Sequence, residues 1–257
     1  MRRVNGGSER KMEKYSIPYT IRTYECDAQK TLRLVSLFNL LQAAATDHAD
    51  RLGVGFYDLA AKGVFWVYVS YDIRIARLPT WDEKVVLTTW PSETTTMIAV
   101  RELQMKTQDG EALVNASCRF AMLDAVRLRP VSVVKNLTDK YQVVPERVVD
   151  EPFARLPLPE TWDVEKRQSV RYDDIDMNGH VNNSIYPVYA QDALSADFLK
   201  DNVLRQIRVE FKKSAVADDE IISKVLFTGN ETFHSVCAPD GREFARIAMA
   251  WDKKSNG

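Results

Sequence analysis

Cysteine, histidine and long apolar runs are all scarce in this chain of 257 residues. Its three cysteines, Cys26, Cys118 and Cys237, are odd in number, widely spaced and without a CxxC pair. That pattern argues against both a disulfide framework and a zinc site, and it fits a reducing, cytoplasmic setting. No stretch reaches the roughly 18 consecutive apolar residues that span a bilayer, so no membrane segment is expected. The opening segment, MRRVNGGSERKMEKY, contains no apolar core of the kind a secretory leader needs. A surplus of one charge is also missing: 35 basic against 36 acidic side chains leave a net charge of −1. A dedicated nucleic-acid binder is thereby excluded. What is present is a globular composition, 45% hydrophobic and 28% charged, which rules out wholesale disorder. The length suits one large domain or two small ones.

Proline marks the division. Pro130, Pro145, Pro152, Pro157 and Pro159 are half of the chain's ten. Proline removes a backbone donor and disfavours helix before it, so residues 131–165 read as a connector with a short helical piece near Leu137–Tyr141. It separates a first domain, 15–130, from a second, 166–257, after a flexible N-terminus, 1–14. The first domain opens with an expected strand at Tyr19–Cys26 and a helix from Thr31 to Gly53. Leu34, Leu37, Phe38, Leu41, Ala44, Ala45 and His48 share one face of that helix, and apolar residues on its other faces predict burial nearly all round. Strands are predicted at Val64–Ile75, with Phe65, Val67, Val69, Tyr71, Ile73 and Ile75 on one apolar face, and at Lys84–Trp90, Met97–Lys106 and Ala112–Leu123. Asp109-Gly110 supplies a hairpin turn.

The second domain repeats this plan. A strand at Ser169–Asp173 precedes a helix over Ser184–Leu199, with Pro187 tolerable in its first turn. Strands follow at Gln206–Lys213, Glu220–Thr228, Thr232–Ala238 and Glu243–Trp251, and Asp240-Gly241 matches Asp109-Gly110. A long helix followed by an antiparallel sheet, twice over, predicts an α+β fold in which the two copies pair like a homodimer.

Ionisable and amide side chains concentrate in the stretch RYDDIDMNGHVNN, residues 171–183. One reading is catalytic: a carboxylate orients an imidazole, an amide polarises a carbonyl, and helix-opening N–H groups stabilise an oxyanion. The other is a polar loop whose asparagines cap a helix and whose aspartates close turns. Gly179 permits a sharp turn under either.

The run from Asp174 to Asn183, followed by Tyr186, resembles the signature of the acyl-acyl-carrier-protein (acyl-ACP) thioesterases. The likeness extends to Thr31–His48, to Phe65-Trp66-Val67 and to Pro79-Thr80-Trp81, and it covers the chain from about Tyr15 to Trp251. It implies two tandem hotdog domains, the first shaping an acyl pocket and the second supplying catalysis. It further implies that Asp176 orients or activates, Asn178 positions the thioester carbonyl and His180 does acid–base work. Water would then release a free fatty acid from the carrier thiol in the cytoplasm, with no metal and no cofactor. Leu34, Leu37, Phe38, Leu41, Phe65, Trp66 and Val67 are the expected acyl-contacting residues. A monomer built as a pseudo-dimer and a homodimer both remain open, and an acyl-CoA thioesterase or a silent acyl-binding protein on the same fold are the competing readings.

One departure stands out. The family commonly places a glutamate, sometimes followed by cysteine, where this chain has Ser214 and Ala215. Ser214 itself, or Glu210 by strand parity, is then a candidate accessory group. Of the remaining histidines, His48 reads as a satisfied core residue and His234 as structural. Arg22, Arg33, Arg127, Arg129, Lys212 and Lys213 are the basic residues available to an acidic carrier protein.

Overall fold

A computed structural model describes residues 14–254. The N-terminal segment expected to be flexible lies outside the described residues, apart from Lys14. The first half contains β1 (Tyr15–Thr20), α1 (Leu34–Arg51), α2 (Phe56–Ala60), β2 (Val64–Ile75), β3 (Lys84–Thr94), β4 (Ala99–Thr107) and β5 (Ala112–Asp124). A two-residue β6 (Pro130–Val131) leads into the connector. The second half contains β7 (Val164–Ser169), α3 (Tyr186–Asp192), α4 (Ala196–Asp201), β8 (Asn202–Phe211), β9 (Glu220–Thr228), β10 (Glu231–Cys237) and β11 (Glu243–Lys253).

All strands join one 11-stranded sheet, in the order β1-β3-β4-β5-β2-β8-β11-β10-β9-β7 with β6 on β5. Read outward from the central β2–β8 pair, the two halves have the same strand order. The halves meet where Ser70–Arg74 pairs antiparallel with Gln206–Glu210. A single apolar core spans that seam: Leu37, Phe38 and Leu41 of α1 and Tyr186, Tyr189 and Ala190 of α3 pack with Tyr71, Ile73, Ile207 and Val209. The connector crosses the opposite sheet face. There Glu102 accepts from Ser92, Ser117, the Arg147 guanidinium and Val148 N, and Glu210 accepts from Leu156 N at 3.0 Å.

The elements depart from the sequence expectation at four places. The first strand begins earlier, at Tyr15, and Thr23–Glu25 form a 3-10 turn instead. Similarly, Tyr172–Asp174 form a 3-10 turn, and the strand before it ends at Ser169. In both, a carboxylate three residues on takes the backbone N–H that a strand would have used. The connector's helical piece is a 3-10 turn at Val134–Asn136 rather than near Leu137–Tyr141. The second long helix is broken. It stops at Asp192, and Ser195 starts α4 by accepting Phe198 N at 3.1 Å, because a serine hydroxyl competes well for a helix-opening donor. Asn39, Ala43, Thr46 and Asp47 of α1 are exposed, so that helix is not enclosed all round.

The expected alternation along β2 also fails at its middle. Register slips between Tyr68 and Ser70 against β5, leaving Val69 as an extra residue. A bulge of this kind reverses which parity faces the helices. Tyr71, Ile73 and Ile75 therefore face the core, but so do Trp66 and Tyr68, not Phe65 and Val67. The same slip recurs on β8, where Leu204 and Gln206 oppose Trp251 and Ala250 and Arg205 is extra.

Candidate active site

The loop from Arg171 to Asn182 is held by two carboxylates. Asp174, 1% exposed, accepts Arg171 N at 2.8 Å, the Arg171 guanidinium at 2.7 Å and the Tyr189 hydroxyl at 2.6 Å. Burial acts to raise its pKa, yet the Arg171 and Tyr189 hydrogen bonds outweigh it and hold the carboxyl below its ordinary value. Asp176 closes the tip. Its Oδ1 accepts Asn178 N at 2.8 Å and His180 N at 3.5 Å, and Oδ2 accepts the Asn178 amide at 3.4 Å. Backbone bonds from Asp176 N to His180 O (2.8 Å) and from Gly179 N to Asp176 O (3.0 Å) complete the turn. Gly179 has φ +77° and open space around it. Gly179→Ala is therefore expected to cost only the left-handed backbone strain, about 1–2 kcal/mol, measurable as a shift in denaturation midpoint.

Asp176, Asn178 and His180 thus share one exposed tip, with Asn178 and His180 both solvent-accessible. The Asp176 carboxylate serves the turn and the Asn178 amide. Among the described residues it makes no hydrogen bond to the His180 ring. Ser214 and Ala215 lie alongside: Ala215 O accepts Val181 N at 2.9 Å, and Ala215 N donates to the Tyr186 hydroxyl at 2.9 Å. Burial raises the Tyr186 pKa to about 12, so that hydroxyl stays protonated. Glu210 is not brought to this tip. Its carboxylate bonds Leu156 N and pairs with Lys212, and those bonds, working against burial, lower its pKa. The parity argument linking it to Ser214 does not hold, because β8 ends at Phe211 and both Lys212 N and Lys213 N turn to Phe244 O.

The first half contains the same loop with the same backbone hydrogen bonds. Glu25 accepts Arg22 N and the Tyr19 hydroxyl, each at 2.7 Å, as Asp174 does from its own pair. Asp27 Oδ1 accepts Gln29 N and Thr31 N, each at 2.9 Å. Asp27 N donates to Thr31 O (2.8 Å), Lys30 N to Asp27 O (3.0 Å), Leu32 N to Pro79 O (2.9 Å) and Arg33 N to Glu25 O (2.9 Å). Each donor has its counterpart 149 residues on, from Asp176 to Asn182, where the first of these bonds is also 2.8 Å. Lys30 even takes the positive φ of Gly179, at +63°. At the tip, Gln29, Lys30 and Thr31 stand where the second half has Asn178, Gly179 and His180. The turn itself therefore requires neither the asparagine nor the histidine.

A cavity of about 100 Å³ lies in the first half, lined by Ala45, Thr46 and Ala49 of α1, Trp66 and Tyr68 of β2, Ala99 and Arg101 of β4, Phe120 of β5 and Tyr141 of the connector. Of the side chains expected to contact an acyl chain, Trp66 lines it. Leu34, Leu37, Phe38 and Leu41 are spent on the core, and Phe65 and Val67 face the other way because of the bulge. Tyr68 falls within the run Val64–Tyr71 that the sequence offers as acyl-tunnel lining, whereas Tyr141 and Arg101 were not singled out, although a charged pair, Arg101-Glu102, in the middle of an apolar strand is the available signal. An aromatic series connects the cavity to the loop: Tyr68 lies 6.5 Å from Phe211, and Phe211 lies 6.0 Å from Tyr186 (ring centroids). In the second half a tryptophan takes the matching position. Trp251 stands as far beyond Gly241 as Phe120 does beyond Gly110, and it packs edge-on against Phe198 at 5.2 Å.

The two remaining histidines are buried. His48 Nδ1 accepts from the Arg101 guanidinium at 2.9 Å, and His234 bonds Thr232 at 2.8 Å. No helix among the described residues is long and apolar enough to cross a membrane.

Comparison with known proteins follows the same two halves. Residues 12–141 match the family model described as acyl-ACP thioesterase N-terminal domain, and residues 159–253 match that of the acyl-ACP thioesterase C-terminal domain. The chloroplastic acyl-[acyl-carrier-protein] hydrolase FATB1 of Cuphea viscosissima is 24% identical over 93% of this chain and 62% of its own length. The chloroplastic palmitoyl-acyl carrier protein thioesterase of Arabidopsis thaliana is 25% identical over 92% of this chain and 63% of its own. The chain thus spans just over three-fifths of these curated relatives. Among solved structures, a putative oleoyl thioesterase from Lactobacillus plantarum has a TM-score of 0.84 at 26% identity, covering 96% of this chain and 99% of that one. The 12:0-ACP thioesterase of Umbellularia californica has a TM-score of 0.85 at 20% identity, covering 94% and 98%, and carries the same fold.

Proposed function

We propose, from the premise that this chain belongs to the acyl-ACP thioesterase family, that it hydrolyses the thioester of a fatty acyl-acyl-carrier-protein, with the first half holding the acyl chain and the second supplying the chemistry. The observation that carries this reading is the duplicated loop. Two turns with the same backbone hydrogen bonds differ at their tips: only the second bears an imidazole, and its amide, on Asn178, is one methylene shorter than that of Gln29. Residues that a fold does not need are the ones to assign to chemistry.

His180 takes a proton from the attacking water as oxygen bonds to the thioester carbon, and returns a proton to the departing thiol sulfur. The Asn178 amide donates to the carbonyl oxygen as negative charge gathers there. Asp176 is a positioning residue, holding the Asn178 amide and the turn. Ser214 and Ala215 offer neither carboxylate nor thiol, Cys118 and Cys237 are buried, and Cys26 belongs to the first-half loop, so water attacks directly and no acyl-enzyme forms. Lys213, exposed immediately before Ser214, is placed to meet an acidic carrier near the tip.

The test is release of thiol from graded acyl-ACP and acyl-CoA series, with His180→Ala as control. Expected is hydrolysis of acyl-ACP that the variant loses. Wild-type release by His180→Ala, an acyl group trapped on Ser214, or an advantage of acyl-CoA over acyl-ACP would overturn the mechanism or the substrate.

A further inference from the structure

Arg101 is 5% exposed and forms part of the wall of the first-half cavity beside Trp66, Tyr68, Phe120 and Tyr141. Buried guanidinium groups are ordinarily neutralised by a carboxylate. Here Glu102, the adjacent acid, projects from the opposite face of β4 and is occupied by Ser92, Ser117 and Arg147. Among the described residues Arg101 has no acidic partner. Its hydrogen bonds leave from Nη1 alone, to His48 Nδ1 at 2.9 Å and Thr89 Oγ1 at 3.2 Å. Both acceptors are neutral: burial first, then the charges of Arg101 and Arg51, push the His48 pKa down to about 4. A guanidinium has five N–H donors, so the Nε and Nη2 hydrogens remain without a protein acceptor among the described residues.

The other half shows that this cation is not part of the scaffold. Thr232 precedes Gly241 by the same nine residues that separate Arg101 from Gly110, and it faces Met249 as Arg101 faces Cys118. There the Thr232 hydroxyl accepts Trp251 Nε1 at 2.9 Å and bonds His234 at 2.8 Å, so an indole packs where Arg101 meets the cavity. A charge stands beside the first-half cavity, and a threonine beside the Trp251 indole.

We infer that Arg101 reads the distal part of the bound acyl chain and selects chains that carry an oxygen there, as a hydroxyl, oxo or carboxylate group, over plain alkyl chains of equal length. An alkyl end reaching Arg101 displaces water and returns no acceptor, whereas an oxygen substitutes for the water. His48 and Thr89 fix the guanidinium so that its remaining donors meet the chain in one geometry. This inference rests on the first half being the acyl site, as proposed above.

The experiment compares the wild-type full chain with Arg101→Met, which keeps length and removes the charge, and Arg101→Lys, which keeps the charge. Hydrolysis (kcat/KM) is measured on thioesters of one chain length that are unsubstituted, distally hydroxylated or terminated by a carboxylate. Binding of the three corresponding free acids is measured in parallel by quenching of tryptophan fluorescence, since Trp66 lines the cavity. The wild type is expected to favour an oxygenated chain by about tenfold or more, the return of one charge-assisted hydrogen bond. Arg101→Met should lose that preference and gain on the alkyl chain, and Arg101→Lys should keep part of it. The hydroxyl and carboxylate arms tell which oxygen is preferred. A wild type that binds the plain chain as well as or better than both oxygenated ones overturns the inference, whatever the variants do. If binding shows the preference and no thioester is cleaved, the reaction assigned above fails and the role of Arg101 stands.

Discussion

Replacing Asn178 by Gln and His180 by Thr in one variant is expected to lower thioester hydrolysis by about 10³-fold or more. The melting temperature should stay within about 2 °C of wild type. The two new side chains are those the first half already uses at the same places, in a turn with the same backbone hydrogen bonds. Asn178 and His180 are exposed, and substitutions at exposed positions ordinarily change stability by no more than about 0.5 kcal/mol, or about 1–2 °C in a chain of this size. The chemical loss is far larger. Removing a general acid–base costs about 10²–10⁴-fold, and glutamine, which keeps the amide but carries it one methylene further out, misplaces the carbonyl-oxygen donor. Groups acting on one transition state do not lose rate additively, so the double variant falls near the larger single loss. Thermal melting and thiol release on the same preparations decide the matter. A variant that melts far below wild type would assign both residues to the fold. One that turns over normally would place the chemistry elsewhere.

This comparison rests on a feature that the sequence displays only in part. The second-half loop is conspicuous as a sequence, since acids, amides and a histidine crowd into residues 171–183. Its twin at Arg22–Arg33 is inconspicuous because Gln29, Lys30 and Thr31 carry no chemistry, and it reads instead as a strand running on to Cys26. Equivalence becomes visible only in hydrogen bonds, where Asp27 and Asp176 do the same work. The repeat of helix and antiparallel sheet was legible, since hydrophobic periodicity and the two Asp-Gly turns are local signals. The bulges at Val69 and Arg205 were not: both runs look regular, and the slip is set by partners on β5 and β11 far along the chain. That single slip takes Phe65 and Val67 off the cavity wall and leaves Trp66, with Tyr68, on it. It also kept Arg101 out of view, because a charged residue in a strand reads as solvent-facing until the cavity beside it is known.

Asp174→Asn is expected to destabilise the protein by about 2–3 kcal/mol, because the carboxylate is buried and its donors lose a charged acceptor although Arg171 is exposed, which corresponds to about 4–12 °C in melting temperature. The carboxylate receives three different donors, from Arg171 N, the Arg171 guanidinium and the Tyr189 hydroxyl. An amide offers one acceptor oxygen and turns an NH₂ group toward the rest. Glu25→Gln makes the corresponding change in the twin loop, where the acid receives Arg22 N and Tyr19 but is in no salt bridge, so its cost should be smaller, about 1–2 kcal/mol. The pair separates stability from function. Asp174 anchors the turn that carries Asn178 and His180, and its main-chain oxygen receives Asn182 N at 2.8 Å, so kcat should fall about tenfold or more in Asp174→Asn, as a small misplacement of reacting groups does. Glu25→Gln should leave kcat within about twofold, because no reacting group depends on its turn. Acid supplies a second check. The Asp174 pKa lies below its unfolded value because its hydrogen bonds to Arg171 and Tyr189 outweigh the opposing effect of burial. Its contribution is therefore complete above the unfolded value, near pH ~4, and is lost as pH falls through the lower folded one. The stability gap between wild type and Asp174→Asn should accordingly be constant from pH 7 to about 5 and narrow below about 4. A gap that stays constant in acid would mean that the folded protein does not hold this carboxylate ionised, and the anchoring role of Asp174 would fail with it.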